Sequence, residues 1–450
     1  MKVHIETKET LKPSTATLPH LKYHKLSFFE QFVPPYYTPV ILFYNIDDGH
    51  GKLHLLKQAL SRTLTKFPPL AGRFHKNMCI NCNDEGILYV EARVDGAMMD
   101  FLKDIDIMLL EKFLPCKKAY KEKMSEVVQA AVQVNVFECG GIAIGACFSH
   151  KIMDASSIDC FLRYWAANFD TSDHVEEPIL LDFTTASSLF PPRDEVQYAD
   201  ESYVEQIEED ICSVKRFVFN ASAIKSLKEK AASDSLPNPS RVEVISAFVW
   251  KQAHIALDKV NNTSGKGKGH KSYLTHVINL RKSSLSPLSK GCIGCLTLPS
   301  AASCNGDERE KEIGWYVDRV HKSIQKINKE HLNRFRGEEG LALIWEGAEM
   351  FLYGRDGLYS CSSWCKLGVN DVDFGWGKPV WISPWSESPS PGERNFLTLM
   401  DINGDEAVEA WLVLEKQEMA ILESDQEFLT YATPVTGIYT GASPDSLSSS

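Results

Sequence analysis

The sequence contains no run of about 18 consecutive apolar residues, so no segment is long enough to cross a membrane as a helix. Residues 1–7 are polar and mixed in charge, without the apolar core of a signal peptide, so we expect the protein to stay in the reducing cytoplasm. The 12 cysteines are then expected to be mostly buried thiols rather than disulfides.

Positive charge is also scarce. The chain has 48 Lys and Arg against 60 Asp and Glu, a net charge of −12, whereas binding to nucleic acid needs a basic surface. The one basic cluster, at 266–271, lies in a stretch rich in Gly, Asn and Ser, which is typical of a solvated loop. We therefore expect neither a nucleic acid nor a membrane as a partner.

Several motifs of known chemistry are missing. There is no Gly-x-Ser-x-Gly for a serine nucleophile, no Gly-x-Gly-x-x-Gly for a dinucleotide and no P-loop for a nucleotide. Cys79 and Cys82, like Cys292 and Cys295, have the spacing of zinc knuckles. About two hundred residues separate the two pairs, however, where a zinc ribbon needs about 15–20, so we expect no metal site.

The 450-residue chain exceeds what one hydrophobic core usually serves, which favours two domains. Apolar patterns predict an α/β protein, with the mixed sheets of α+β folds. The predicted strands are 38–44, 127–137, 141–149, 216–219, 272–280, 379–383, 396–401 and 406–414, with a hairpin of 78–80 and 87–90. The predicted helices are 54–66, 158–168, 221–232, one from 241, 309–328, 338–351 and 417–431.

The domain limits follow from composition. The acidic, proline-containing stretch 171–213 is long for a loop inside one compact domain, so we interpret it as a crossover linker. We place an N-terminal domain at 1–170 and a C-terminal domain at 214–440. The serine-rich residues 441–450 are expected to be a disordered tail.

His150 and Asp154 form the first motif. His150 follows an apolar run, and a helical pattern begins soon after Asp154, so a strand would present the imidazole at its C-terminal end. A neutral imidazole can act as a general base near pH 7, although a histidine beside an apolar strand is often only structural. Asp154 could orient the ring as in a catalytic triad, or it could brace the turn by pairing with a distant cation.

Asp373, Phe374, Gly375, Trp376 and Gly377 form the second motif. Two glycines around an aromatic residue indicate an unusual backbone path, and Trp376 offers a large apolar plug with one hydrogen-bond donor. Asp373 could act as an acid or a base, but a carboxylate in such a turn more often accepts hydrogen bonds from backbone N–H groups.

These stretches resemble the plant acyl-CoA-dependent acyltransferases known as the BAHD family, in the branch that acetylates alkaloids and other specialised metabolites. The family signatures are His-x-x-x-Asp, here His150 to Asp154, and Asp-Phe-Gly-Trp-Gly, here Asp373 to Gly377. The resemblance covers about residues 1–435. Further matching stretches are 26–31, 67–73, 241–243, 250–251, 279–281 and 362–365.

The resemblance implies two chloramphenicol-acetyltransferase-like domains with a channel between them and His150 midway. An acyl-CoA, expected to be acetyl-CoA, would be a co-substrate rather than a permanently bound cofactor, and the acceptor would be a small-molecule alcohol. His150 would take the proton of the acceptor hydroxyl, whose oxygen would attack the thioester carbonyl and expel CoA without an acyl-enzyme. We expect a monomeric acyltransferase that transfers groups other than aminoacyl groups.

We take His150, Asp154 and Asp373 as the candidate catalytic residues. The resemblance implies that Asp154 points away from the reaction and pairs with Arg281, and that Asp373 lies off the reaction centre, near the CoA side. Structural support of the site is expected from Arg281, Asn279, Gly375, Trp376 and Gly377.

Two segments depart from the family pattern: Ile293-Gly294-Cys295 stands where the family has Phe-Gly-Asn, and 366–371 lacks the usual Arg-Phe-Pro-like sequence. Both could line the channel. The leading hypothesis is transfer of an acetyl group to a hydroxyl of a plant alkaloid or terpenoid. The alternatives are N-acylation or transfer of a larger aliphatic or aromatic acyl group, and a non-catalytic metabolite-binding protein, against which the intact His150 and Asp154 argue.

Overall fold

The structure is a computed structural model that describes residues 1–34, 36–117, 123–169, 179–196, 211–263, 271–281, 286–308, 310–353, 357–385, 394–402 and 406–439. Within these ranges, none of the helices has the combination of length and apolar character that crossing a membrane requires.

The strands, in chain order, are β1 (Val3–Leu11), β2 (Tyr23–Lys25), β3 (Tyr37–Tyr44), β4 (Arg73–His75), β5 (Cys79–Asn81), β6 (Ile87–Val94), β7 (Ala130–Phe137), β8 (Ile142–Ser149), β9 (Cys212–Phe219), β10 (Ser272–Asn279), β11 (Thr297–Cys304), β12 (Leu358–Ser363), β13 (Trp381–Ser383), β14 (Phe396–Asp401), β15 (Val408–Glu415) and β16 (Thr433–Pro434). The α-helices are α1 (Phe28–Phe32), α2 (Leu53–Lys66), α3 (Met98–Lys103), α4 (Ala155–Ala167), α5 (Thr185–Leu189), α6 (Ala221–Ala231), α7 (Arg241–Thr263), α8 (Ile313–Gln325), α9 (Lys329–Arg334), α10 (Glu339–Tyr353), α11 (Lys416–Ser424) and α12 (Gln426–Tyr431).

The chain divides into two compact units. Unit 1 comprises Met1–Val204, Leu280–Thr297 and Leu367–Ser388, and unit 2 comprises Glu205–Asn279, Leu298–Lys366 and Pro389–Ser450. Each unit is therefore built from three segments rather than from one continuous stretch. The limits 1–170, 171–213 and 214–440 stay a prediction for the domains, and the tail at 441–450 lies outside the described residues.

Unit 1 contains a six-stranded sheet in the order β1-β6-β7-β8-β3-β13. β8 lies inside this sheet, paired antiparallel with β7 on one side and with β3 on the other. Because all eight residues of β8 are buried, it needs apolar or small side chains on both faces, which explains its unbroken apolar run. Pairing on both sides fixes the position of its C-terminal residue, Ser149, from which the chain continues to His150.

The second motif belongs to unit 1, although the sequence prediction placed it in the C-terminal domain. β13 follows this motif and pairs antiparallel with β3, with Trp381 opposite Phe43 and Ser383 opposite Ile41. This pairing joins residues more than three hundred positions apart, and no local pattern in either strand reveals its partner. The predicted assignment of Asp373 to Gly377 to the C-terminal half is therefore corrected.

Unit 2 contains a seven-stranded sheet in the order β11-β10-β12-β14-β15-β9-β16. The pairs β10–β12 and β12–β14 are parallel, and the pairs β14–β15 and β15–β9 are antiparallel. The long helix α7 contributes Val244, Phe248 and Trp250 to the buried core of the unit. The predicted α/β class with mixed sheets is confirmed in both units.

Most predicted elements are present within a few residues of their expected limits, but three expectations are wrong or incomplete. Residues 78–80 and 87–90 do not form a hairpin, because β5 pairs with β2 and β4 whereas β6 pairs with β1 and β7. The predicted helix 417–431 is two helices, since the Asp425 side chain accepts a hydrogen bond from Phe428 N at 3.0 Å and begins α12. The strands β11 and β12 were not predicted.

The predicted crossover 171–213 is only partly described. Its residues 179–196 include the short helix α5 and belong to unit 1, whereas its residues 211–213 belong to unit 2 and include the start of β9. Asp182 forms a β-bridge with Cys292, and the Phe190 carbonyl accepts a hydrogen bond from Phe28 N at 2.8 Å. This part of the segment is thus packed within a unit and is more than a linker.

Candidate active site

His150 lies immediately after β8 and is half-buried. Its backbone N–H donates a hydrogen bond to the Tyr36 carbonyl oxygen at 2.8 Å. The Tyr36 ring meets the imidazole edge to face, with ring centroids 5.0 Å apart and an interplanar angle of 87°. The imidazole is therefore held by a buried strand behind it and an aromatic ring beside it, while part of its surface remains accessible.

Asp154 begins the helix that follows. Its Oδ1 accepts a hydrogen bond from Ser157 N at 2.9 Å, so the residue is the N-cap of α4. Its Oδ2 accepts hydrogen bonds from Arg281 Nη1 at 2.7 Å and from Leu296 N at 3.0 Å. The predicted pairing of Asp154 with Arg281 is confirmed. Of the two roles considered for Asp154, bracing the turn explains these contacts.

The Asp154–Arg281 pair is buried, with side chains 5% and 3% exposed. Arg281 also donates from Nε to the Cys292 carbonyl at 2.6 Å, and from Nη2 to Ser157 Oγ and to the Gly294 carbonyl, both at 2.9 Å. Burial alone would raise the pKa of Asp154, but the Arg281 charge and the N–H donors hold it below its ordinary value. The pair thus fastens the start of α4 to the segment 292–296.

Cys295 brings a thiol to the imidazole. Its Sγ lies 3.6 Å from His150 Nδ1 and 3.9 Å from Thr297 Oγ1, and the residue is 2% exposed. Burial raises the pKa of the thiol well above its ordinary value, and the carboxylates of Asp154 and Glu30 raise it further. The sequence pointed to Cys295 only as part of a departure from the family pattern, and its contact with His150 was not predicted.

Glu30 and Lys151 are two buried charged residues that the prediction missed. Glu30 Oε2 accepts from Ser27 N at 2.6 Å, and Ser27 Oγ accepts from Glu30 N at 3.4 Å, which is a capping box at the start of α1. Burial raises the pKa of Glu30 to about 7, partly offset by its hydrogen bonds and by the Lys151 charge. The Ser-x-x-Glu pattern at 27–30 was the sequence signal that could have identified this carboxylate.

Lys151, directly after His150, is fully buried. Its Nζ donates to the carbonyl oxygens of Glu30, Gln31 and Val33 at 2.9, 3.1 and 3.2 Å. Burial lowers the pKa of Lys151 to about 7, and the charge of Glu30 opposes that shift. The three carbonyl acceptors match the three hydrogen-bond donors of a charged ammonium. The residue beside the imidazole therefore ties the end of β8 to the C-terminal end of α1.

The second motif is a turn closed by its own aspartate. Asp373 is exposed, and its Oδ1 accepts hydrogen bonds from Gly375 N at 2.7 Å and from Gly377 N at 2.8 Å. Both glycines have left-handed backbones, with φ of 91° and 104°, which explains why glycine occupies these positions. The geometry supports the turn-capping interpretation, while a direct catalytic role of Asp373 stays a prediction.

The two aromatic residues of this turn join an aromatic cluster in unit 1. Phe374 is 2% exposed and packs edge to face on Trp165 at a centroid distance of 5.3 Å. Trp376 packs on Phe169 at 4.7 Å and on Tyr44 at 6.0 Å. Tyr44 also donates its hydroxyl hydrogen bond to the Val372 carbonyl at 2.9 Å. The motif thus anchors the segment before β13 to the core of unit 1.

Asn279 is the last residue of β10 and belongs to unit 2, so its predicted support of the site stays a prediction. Cys79, Cys82, Cys292 and Cys295 are all free thiols. In the parts of the chain that the structure describes, no group of three or more His, Cys, Asp or Glu side chains has the arrangement of a metal site.

Comparison with known proteins gives a consistent result over almost the whole chain. A family model described as the Transferase family matches residues 1–429. The chain is 35% identical to akuammiline synthase 2 of Alstonia scholaris, covering 96% of this chain and 97% of that protein. It is 34% identical to an epi-neemfruitin B 7-O-acetyltransferase of Melia azedarach, covering 96% and 98%.

Among solved structures, the crystal structure of vinorine synthase matches with a TM-score of 0.80 at 30% identity, covering 96% of this chain and 98% of that chain. The fold, the family model and the named relatives define an enzyme that transfers acyl groups other than aminoacyl groups. The chain belongs to the BAHD acyltransferase family, as its two motifs predicted.

Proposed function

We propose that this enzyme transfers an acetyl group from acetyl-CoA to a hydroxyl group of a plant specialised metabolite, an alkaloid or a terpenoid. His150 is the general base, and both substrates are bound together when the acyl group moves. The observation that carries the proposal is the placement of His150: a half-buried imidazole at the end of a buried strand, with Nδ1 facing Cys295. The other ring nitrogen, Nε2, is the one assigned to the substrate.

The chemistry follows from that assignment. His150 Nε2 takes the proton of the acceptor hydroxyl as the oxygen attacks the thioester carbonyl of acetyl-CoA, giving a tetrahedral oxyanion. The oxyanion collapses, the carbon–sulfur bond breaks, and the departing CoA sulfur takes the proton from the imidazolium. General-base help of this kind contributes about 10²–10⁴-fold, and holding both substrates in reacting geometry supplies much of the remainder.

Asp154 supports this reaction from a distance. Both of its oxygens are engaged, one with Ser157 N and the other with Arg281 and Leu296 N. A triad aspartate would instead accept a hydrogen bond from the imidazole it orients. We therefore assign Asp154 and Arg281 to holding the turn after His150 in place.

The acyl donor and acceptor rest on the family. The resemblance implies a CoA thioester as co-substrate, and the name of the Melia relative states O-acetylation. These considerations favour acetyl transfer to oxygen over the alternatives of N-acylation or a larger acyl group. A monomeric state and a cytoplasmic location stay predictions.

The direct test is CoA thiol release from acetyl-CoA in the presence of a panel of alkaloid and terpenoid alcohols, with amines and longer acyl-CoA thioesters as comparison substrates. With an accepted alcohol, His150→Ala is expected to lower kcat by about 10²–10⁴-fold while the protein remains folded by circular dichroism. His54→Ala, at an exposed position of α2, is the matched control and should retain wild-type activity.

Retention of activity within a few-fold by His150→Ala would rule out the general-base role. Absence of thiol release with every alcohol, together with release on amines or with longer acyl donors, would favour the alternative reactions. Initial rates measured over both substrate concentrations should give intersecting double-reciprocal lines, since no acyl-enzyme forms, whereas parallel lines would indicate a covalent intermediate.

A further inference from the structure

The sulfur of Cys295 is a neighbour of His150 Nδ1 that the proposed mechanism does not yet use. A base that acts through Nε2 must carry its one neutral-state hydrogen on Nδ1, and the group facing Nδ1 selects that tautomer. Cys295 Sγ lies 3.6 Å from Nδ1, a distance within the range of hydrogen bonds to sulfur. Sulfur is a weak acceptor, so its effect depends on how firmly it is positioned.

The backbone around Cys295 is held on each side. The N–H of Cys295 donates to Glu30 Oε1 at 3.3 Å, and the next N–H, of Leu296, donates to Asp154 Oδ2 at 3.0 Å. The preceding residue, Gly294, exchanges hydrogen bonds with Ser157, whose Oγ accepts from Gly294 N at 3.1 Å and donates to Gly294 O at 2.9 Å.

Gly294 also allows a close approach. It has φ of 154°, and a Cβ atom there would lie 2.7 Å from Glu30 Oε1. The same network that includes the Asp154–Arg281 pair therefore fixes the path of Cys295. The hydrogen bonds of this segment consequently fix the position of the thiol beside the imidazole.

The protonation of the thiol decides what it can do. Burial, with the carboxylates of Asp154 and Glu30, raises the pKa of Cys295 well above its ordinary value, and Arg281 opposes this only in part. A neutral thiol is a poor nucleophile. The negative potential that holds the proton on sulfur also favours a proton on the ring nitrogen that faces it.

A hydroxyl within reach of the sulfur can accept the thiol hydrogen. Thr297 Oγ1 lies 3.9 Å from Cys295 Sγ, so the S–H bond can point to Thr297 while a sulfur lone pair faces His150. In the resulting order, His150 Nδ1–H donates to the Cys295 sulfur, and the Cys295 S–H donates to Thr297 Oγ1. In this order Nε2 carries no hydrogen, which a base that acts through Nε2 requires.

We propose that Cys295 is a positioning residue whose sulfur accepts a hydrogen bond from His150 Nδ1 and thereby holds His150 in the tautomer that can act as a base through Nε2. The proposal rests on the proposed function, since it concerns the same imidazole. It assigns no covalent step to Cys295. It predicts that the residue acts on kcat through the ring, and that it leaves the binding of both substrates largely unchanged.

The tautomer can be measured directly, without activity. The full-length protein is labelled with ¹⁵N-histidine, and the His150 signals are identified by their absence in His150→Ala. We expect a protonated Nδ1 and an unprotonated Nε2 in the wild type near pH 8. The opposite tautomer in the wild type would overturn the proposal even if no Cys295 variant can be folded.

Kinetics separates positioning from structural support. Cys295→Ala is expected to lower kcat about tenfold, a part of the general-base contribution, with both KM values within about twofold of wild type. Cys295→Ser should recover kcat to within about threefold, since a hydroxyl oxygen also accepts from Nδ1–H. Cys361→Ala, a 1% exposed thiol of unit 2, is the control for loss of a buried sulfur and should leave kcat unchanged.

The pH profile gives a readout that a structural role would not move. The acid limb of kcat/KM should shift to lower pH in Cys295→Ala and to higher pH in Cys295→Ser, because a better acceptor on Nδ1 stabilises the imidazolium. Identical limbs in all three proteins would contradict the proposal. The surrounding charged groups, Asp154, Arg281, Glu30 and Lys151, are the same in each variant.

A nucleophilic cysteine is the competing outcome, because Cys–His pairs can form acyl-enzymes. Incubation with acetyl-CoA and no acceptor, followed by intact-mass analysis, should show no acetyl group on Cys295. An acetyl-cysteine that forms with release of CoA and is consumed when acceptor is added would replace the proposal with a covalent route. Activity in His150→Ala would refute the proposed function, whereas the tautomer of the wild-type ring would remain measurable.

Discussion

The two family motifs each contain one aspartate, and the structure uses them in opposite ways. Asp154 is buried and joins three separate parts of the chain through Arg281, Ser157 and Leu296. Asp373 is exposed, and its side-chain contacts given above are to amides within four residues of itself. An aspartate carboxylate therefore serves as a long-range brace in one motif and as a local turn cap in the other.

An intact motif therefore does not reveal which contacts its aspartate makes. In the first motif His150 is half-buried, whereas both carboxylate oxygens of Asp154 accept hydrogen bonds that hold the turn. In the second, the aspartate shapes a turn so that Phe374 and Trp376 reach the aromatic cluster around Tyr44, Trp165 and Phe169. Removing each aspartate should consequently have effects of different size and on different properties.

The largest effect is expected at the brace. Asp154→Asn leaves the Arg281 guanidinium buried without its carboxylate, which typically costs about 3–5 kcal/mol of unfolding free energy. The amide oxygen can still cap α4, so the loss measures the ion pair more than the cap. Urea unfolding followed by circular dichroism checks the expectation, and a change below about 1 kcal/mol would contradict the brace.

Lowering the pH should weaken the same ion pair, with an effect of intermediate size on the free energy of unfolding. The folded-state pKa of Asp154 is lowered, so the ion pair contributes fully above the ordinary carboxyl value of about 4 and is lost as pH falls below it. The wild type should lose stability faster than Asp154→Asn between about pH 5 and pH 3. Parallel curves for the two proteins would show that Asp154 does not carry this linkage.

The smallest effect is expected at the second motif. Asp373→Ala removes one acceptor of two backbone hydrogen bonds in an exposed turn, so we expect a loss of about 1 kcal/mol. Activity per folded molecule should stay within about twofold of wild type, measured as thiol release after correction for the folded fraction. A large loss of kcat at unchanged stability would instead support Asp373 as a catalytic group.

The fold class and many single strands and helices could be predicted from the sequence, because an apolar run or a helical spacing lies within a few consecutive residues. β8 and the helix after Asp154 follow from an unbroken apolar run and from helical spacing, and both are present. The hairpin at 78–90 failed because pairing in sheets is a long-range property. The residues between the segments 78–80 and 87–90 connect strands of two different sheets.

The site shows the same division. His150 and the Asp154–Arg281 pair were reached through motifs that stay recognisable without folding the chain. Glu30, Lys151 and Cys295 were missed as site residues because the contacts that join Lys151 to Glu30, Cys295 to Glu30 and Cys295 to His150 span more than a hundred positions. A fully buried lysine cannot be distinguished from a solvated one by sequence, since lysine is usually exposed.

The ammonium of Lys151 has a consequence for changes to the chain at 30–33. Its Nζ donates to the main-chain oxygens of Glu30, Gln31 and Val33, so these hydrogen bonds depend on the backbone path of the stretch. The side chains of Glu30 and Gln31 are constrained as well, because Glu30 accepts hydrogen bonds from Ser27 N and Cys295 N, and Gln31 donates to the Asn77 and Arg193 carbonyls. Insertions or deletions there would displace these carbonyl oxygens and with them the residue next to His150, whereas substitutions that preserve the length leave the backbone acceptors in place.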